Sequence, residues 1–136
     1  MPTILIADDE QHIRMLIEQT LESLEDEGVD ILTAQNGAEA LEIIKEKRPE
    51  LVFLDVMMPK MNGFDVCNAV KNVLGMKEVY IIMLTAKGQE FDKEQGIESG
   101  CDLYITKPFS PKELKNKAKE ILGPLCANIQ DTLPIC

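Results

Sequence analysis

Residues 51–66 read LVFLDVMMPKMNGFDV, and the first six of them decide the fold. LVFLDV is apolar without alternation and is interrupted only by Asp55. A strand with one wet face alternates between apolar and polar residues, whereas a strand covered on both faces does not. Leu51–Val56 is therefore expected to be a strand inside a parallel sheet, with a carboxylate at its far end. Phe64, Val66, Cys67, Val70 and Leu74 then mark a helix over Gly63–Leu74, followed by Gly75.

Similar runs lie on either side, at Thr3–Ala7, Asp30–Ala34, Val79–Thr85 and Leu103–Thr106. Between the first two, Ile13, Leu16, Ile17, Thr20, Leu21 and Leu24 form one stripe of a helix over His12–Leu24, which Gly28 can close. Asn36 and Glu39 form a capping pair ahead of AEALEIIKEK. Ser110-Pro111-Lys112-Glu113 combines an N-cap serine, a first-turn proline and a glutamate at the third position. Leu114, Ala118, Ile121 and Leu122 line the face of that last helix, and Gly123-Pro124 is expected to end it. The segment from Gly88 to Gly100 carries few apolar residues and an internal Gly96, so a loosely docked helix is expected there.

The pattern is (βα)5: an α/β fold with a doubly wound, five-stranded parallel sheet and right-handed crossovers. The favoured strand order is 2-1-3-4-5, with a ligand crevice at the carboxyl ends of strands 1 and 3. One domain over residues 1–123 is expected, with 124–136 as a tail: an ordered extension, the start of a linker or a frayed end.

Composition narrows the function. The 136 residues include 24 acidic and 14 basic side chains, a net charge of −10, and are 45% hydrophobic. That balance excludes a disordered chain, and the negative charge speaks against direct binding to nucleic acid or an anionic membrane. No apolar run approaches the roughly 20 residues of a membrane span, and MPTILIADDE lacks the basic start of a signal peptide. Cys67, Cys101, Cys126 and Cys136 show no metal-type spacing and read as free thiols of a cytoplasmic protein.

The strand ends carry the chemistry. Strand 1 ends in Asp8-Asp9-Glu10, strand 3 in Asp55, strand 4 in Thr85-Ala86 and strand 5 in Thr106-Lys107-Pro108. Each has a bland reading: Asp8 and Asp9 can cap the following helix, Thr85 can be a plain strand residue, and Lys107 a solvated loop residue. Asp55 is harder to set aside, because an unpaired carboxylate at the end of a central strand is costly. Close carboxylates repel unless a cation sits among them, and Mg²⁺ takes oxygen ligands together with substrate phosphate. A carboxylate beside that ion can act as a nucleophile toward phosphorus, with an ammonium and a hydroxyl offsetting the charge that develops.

These residues, in the words ILIADDE, LVFLDVMMPKMNGFDV, IIMLTA and SGCDLYITKPF, resemble a response-regulator receiver domain of two-component signal transduction, of the chemotaxis-regulator-like, flavodoxin-like kind. The resemblance spans about residues 2–122. It implies that Asp55 is the phosphoacceptor and that Asp8 and Asp9 hold Mg²⁺ (or Mn²⁺), directly or through water. It implies that the backbone carbonyl of Met57 completes the metal site, that Lys107 pairs with the acyl phosphate and that Thr85 is the switch hydroxyl. Tyr104 matches the aromatic whose ring changes burial, and Gly63 the loop glycine after strand 3. The implied partners are a sensor histidine kinase or histidine phosphotransfer protein upstream, and an effector protein or fused output domain downstream. The implied output surface is the helix of 88–100, strand 5 and the last helix, which is also a dimer face in this family.

On this reading the chain is a phosphorelay signalling module and not an enzyme. Three alternatives stand beside it. An aspartyl-phosphate phosphatase would carry a second aspartate two residues after the nucleophile, where this chain has Met57. A receiver-like interaction module that is never phosphorylated would not need all five site residues. A nucleotide-binding reading lacks any GxGxxG after strand 1.

Overall fold

A computed structural model describes residues 2–86, 100–107 and 109–129, with the backbone alone at 85, 86, 107 and 124–129. In chain order the elements are β1 (Thr3–Ala7), α1 (Gln11–Thr20), α2 (Glu22–Asp26), β2 (Asp30–Ala34), α3 (Gly37–Lys47) and β3 (Leu51–Asp55). They continue with α4 (Gly63–Asn68), a π-helical turn (Ala69–Val73), β4 (Tyr80–Ala86), β5 (Leu103–Lys107) and α5 (Pro111–Ile129). The five strands are parallel and lie in the order β2-β1-β3-β4-β5. The expected (βα)5 sheet is thus present with the expected order.

The continuous apolar runs have their cause in two cores. Leu5, Ala7, Val52, Leu54, Ile81 and Met83 face one way and pack with Ala40 and Ile44 of α3 and Val66 and Cys67 of α4. Ile4, Ile6, Phe53, Ile82, Leu84 and Ile105 face the other way and meet Ile17, Leu21 and Leu24, together with Leu114, Ala118 and Leu122 of α5. Every residue of β3 is buried, which is why LVFLD shows no alternation. β2 and β5 form the two edges.

Local signals work as expected at α3, where Asn36 Oδ1 accepts from the Glu39 N–H at 2.8 Å. Asn36→Ala should remove that cap at about 1 kcal/mol and lower Tm by roughly 3–5 °C in thermal unfolding followed by circular dichroism. An unchanged Tm would show that the cap contributes nothing.

Three expectations need correction. The helix expected over His12–Leu24 is broken at Leu21 into α1 and α2. The Thr20 hydroxyl donates to the Leu16 carbonyl at 2.8 Å, and the Leu21 N–H is shared between the Ile17 and Glu18 carbonyls, so the ladder loosens there. The helix over Gly63–Leu74 widens into the π-helical turn, with the Leu74 N–H donating to the Ala69 carbonyl at 2.8 Å. The wider turn rotates the face beyond it, so Leu74 is exposed, while Lys71 is buried. Gly123-Pro124 does not end α5, which runs on to Ile129. Proline in a helix interior loses one N–H bond and crowds the carbonyl four residues back, at about 3 kcal/mol, and α5 continues in spite of that cost. The helix expected over 88–100 and the tail from 130 onward lie outside the described residues.

Candidate functional site

The crevice forms where β1 and β3 end side by side. Ala7 pairs with Leu54, which places Asp8 and Asp55 as the next residues on adjacent strands. One oxygen each from Asp8, Asp9 and Asp55 can be chosen so that all lie within 4.8 Å of one another. Asp8 is fully buried, Asp55 is 5% exposed and Asp9 faces solvent.

The loop that holds the acidic pair is tied at several points. The Asp8 N–H donates to the Ala34 carbonyl at 3.2 Å, one step beyond the β1–β2 ladder. Asp8 Oδ1 accepts from the Glu10 N–H at 2.9 Å, a local turn of the kind aspartate favours. The Arg14 guanidinium reaches back from α1 and donates to the Asp8 carbonyl at 2.7 Å. Capping of α1 is therefore not what Asp8 does. The residue at that N-cap is Glu10, and no side-chain cap bond is made there. Asp55 is fixed by the sheet itself: it pairs with Leu84, and the following Val56 N–H donates to the Leu84 carbonyl at 3.2 Å.

The other residues fall as follows. Met57 is 61% exposed, so its side chain points away from the core. Thr85 pairs with Thr106 and Ala86 with Lys107, so their backbones reach the same end of the sheet as Asp8 and Asp55. The Thr85 hydroxyl, the Lys107 ammonium and Pro108 lie outside the described atoms. Tyr104 pairs with Met83 and packs half-buried against the first core. Burial pushes the Cys101 thiol up, a hydrogen bond with Tyr104 pulls it down, Asp102 adds to the rise and Lys71 opposes it. His12 is exposed and stands 3.4 Å from Glu10.

Sequence reading missed two features. One is the Arg14 contact, for which the sequence gives no sign. The other is an ion pair made by a buried lysine, with Lys71 Nζ 2.8 Å from Oδ2 of the exposed Asp102. A sign of the second was present: Lys71 stands four residues after Cys67 and seven after Phe64, a cation on the helix's apolar face.

The donor set suits a hard divalent cation. It is made only of carboxylate oxygens and is partly sunk below the surface. Ligands on one Mg²⁺ lie about 3 to 4 Å apart, so a span of up to 4.8 Å fits an ion held partly through water.

Comparison with known proteins agrees with this geometry. Residues 4–119 match the response regulator receiver domain family, and the chain belongs to it. It is 45% identical over 119 residues to the alkaline phosphatase synthesis transcriptional regulatory protein PhoP of Bacillus subtilis, covering 88% of this chain and 48% of that protein. The chain thus spans about half the length of that relative. Among solved structures it resembles chemotaxis protein CheY4 of Vibrio cholerae, with 33% identity and a TM-score of 0.77 over 90% of this chain and 99% of that one. It also resembles the BeF3-activated DrrB receiver domain, with 30% identity and a TM-score of 0.78 over 90% and 98%. The chain is therefore a receiver domain of two-component signalling, a phosphoryl-accepting signal-transduction module. Among the described residues no helix is long and apolar enough to cross a membrane.

Proposed function

We propose that Asp55 is the phosphoacceptor, and that Asp8 and Asp9 with the Met57 carbonyl and Asp55 hold Mg²⁺, or Mn²⁺ in its place. The observation that supports this best is the convergence of three carboxylates within 4.8 Å at the ends of two adjacent strands. When bound, the ion offsets carboxylate repulsion and the charge on the phosphoryl oxygens. The donor is a phosphohistidine on a sensor kinase or phosphotransfer protein. An Asp55 oxygen attacks phosphorus in line, an O–P bond forms and the P–N bond breaks. The imidazole leaves with the electron pair and takes up a proton. Water later cleaves the acyl phosphate and restores Asp55, which makes the domain a signalling acceptor and not an enzyme acting on an outside substrate.

The phosphoryl group adds roughly 1.5 to 2 negative charges. Lys107 pairs with it and the Thr85 hydroxyl turns toward it, which frees space for the Tyr104 ring. The surface made by the 88–100 segment, β5 and α5 is re-packed for an effector protein or a fused output domain, and it is also the face for any dimer. This is a two-state element biased by a local charge. Residues 1–123 form the working domain, and 124–136, whose first six residues continue α5, form a tail or the start of a linker. A cytoplasmic setting fits Cys67 and Cys101, which are in the reduced thiol form.

Incubation with acetyl phosphate and Mg²⁺ tests the reading. Stoichiometric, base-labile labelling at Asp55 supports it. Continuous turnover would point to the phosphatase alternative, and a folded but unlabelled protein to the silent interaction module. Asp9→Ala should weaken Mg²⁺ binding roughly tenfold in calorimetric titration and slow labelling, because one oxygen ligand is lost. Its stability without metal should hold or rise, because like-charge repulsion is relieved. A Mg²⁺ isotherm matching wild type would remove Asp9 from the metal site.

A further inference from the structure

The pair of buried Lys71 and exposed Asp102 has no part in the site described above, yet it sits at the head of the strand that carries Tyr104 and Lys107. Lys71 Nζ lies 2.8 Å from Asp102 Oδ2 and donates to the Lys77 carbonyl at 3.2 Å. The same Asp102 oxygen accepts from the Ile81 N–H at 2.8 Å, and the Asp102 N–H donates to the Ile81 carbonyl at 3.0 Å. One ammonium and one carboxylate thus tie together the π-helical turn, the chain ahead of β4, β4 itself and the start of β5. Lys71 is 4% exposed. The chain comes close to it at Gly100, where φ is +90° and an added Cβ would stand 3.1 Å from Lys71 Cβ. Only glycine takes that backbone shape easily while lying against the lysine stem.

The other end of β5 is held differently. β5 is an edge strand with β4 as its single neighbour, and its last pairs are Thr85–Thr106 and Ala86–Lys107. A strand anchored by charge at its start and by one ladder at its end responds to a pull on Lys107 by turning about the anchor. Without the anchor, the same pull is absorbed by movement of the strand's start. Tyr104 lies two residues beyond Asp102, where the turning is felt.

We infer that Lys71 and Asp102 are positioning residues that fix the start of β5, so that a phosphoryl group on Asp55 moves Tyr104 instead of displacing the strand. This role rests on the assignment of Asp55, Lys107 and Tyr104 given above. It concerns conversion between states and leaves phosphoryl uptake untouched.

The test separates the two. The chain has two tyrosines, so 3-fluorotyrosine labelling in a Tyr80→Phe background gives one fluorine signal, from Tyr104. Beryllium fluoride with Mg²⁺ serves as the phosphoryl mimic, and acetyl phosphate measures uptake. In the parent protein the signal should pass to a second position at saturation. In Lys71→Met, uptake should stay within about twofold, while the ratio of converted to unconverted signal falls at least about fivefold, the scale of ordinary conformational coupling. Asp102→Asn keeps an acceptor for the Ile81 N–H and should shift the ratio the same way by less; it also carries the test if Lys71→Met does not fold. An unchanged ratio in both variants overturns the role, as does a parallel loss of uptake. No uptake by the parent protein overturns the Asp55 assignment, and this role with it; uptake without a second Tyr104 signal overturns this role alone.

Discussion

Asp55→Asn should abolish acetyl phosphate labelling, a fall of more than about 100-fold, while the protein stays folded and becomes slightly more stable without metal. Asparagine keeps the shape of the side chain but offers an amide in place of the nucleophilic carboxylate. The packing argument is local: Asp55 is 5% exposed and pairs with Leu84 through backbone bonds that the substitution leaves intact. The electrostatic argument points the same way if relief of the 4.8 Å cluster with Asp8 and Asp9 outweighs the further contact that Asp55 makes, which the Tm decides. Two like charges 4.8 Å apart repel by about 3.5 kcal/mol at an effective dielectric of 20, and Asp9 is exposed, so a gain of roughly 1 kcal/mol is the reasonable scale. Thermal unfolding in a chelator should show Tm higher by roughly 3–5 °C. Added Mg²⁺ should narrow the gap, because it stabilises the parent through a ligand the variant has lost. Persistent labelling in Asp55→Asn would place the phosphoacceptor elsewhere; a lower Tm would mean that Asp55 is paired well enough to repay its burial.

Most of the sheet was legible because its strands are buried on both faces. Runs such as LVFLD and YIIMLTA leave little choice of element, and Leu51–Asp55 and Tyr80–Ala86 fall within a residue of the expected bounds. The acidic site was legible for a related reason: a carboxylate that interrupts an apolar run has few explanations besides chemistry, and Asp55 does so. What escaped depends on hydrogen bonding that residue type does not announce. The break at Leu21 follows from a threonine hydroxyl competing for the Leu16 carbonyl, yet Thr20 fits the helical stripe equally well unbroken. The exposure of Leu74 follows from a π-helical turn that shifts the face of the helix, whereas the sequence alone made Leu74 a core residue. Gly123-Pro124 has the form of a helix stop, and α5 nevertheless passes through it. Arg14 meets the site through a backbone carbonyl, a partner that leaves no mark in the sequence.

Gly63→Ala should damage both stability and phosphoryl uptake, and Gly37→Ala separates the two effects. Gly63 opens α4 directly behind the site, and its N–H donates to the Val56 carbonyl at 2.8 Å. A Cβ built there would stand 2.5 Å from the Asp55 carbonyl oxygen, with Met83 Sδ and the Val56 Cα each at 3.0 Å. The methionine can swing aside, but the carbonyl belongs to the backbone of Asp55, the proposed phosphoacceptor. Relief therefore moves Asp55 relative to Asp8 and Asp9. Overpacking of this kind costs about 1–3 kcal/mol, of which alanine's better helix propensity returns up to about 1. A displacement near an ångström at a reacting group can slow the reaction on the order of 10²-fold. At Gly37 a Cβ would overlap the Met61 carbonyl and side chain, a contact between α3 and the loop after β3 that does not include Asp55. Gly37→Ala should lower Tm at least as much as Gly63→Ala, yet label at a rate near the parent's when both are compared at a temperature where they are folded. If the two variants lose uptake only in proportion to the fraction unfolded, Gly63 is a packing residue alone. If Gly63→Ala loses uptake while fully folded and Gly37→Ala does not, the close approach behind Asp55 is what sets the angle of its carboxylate.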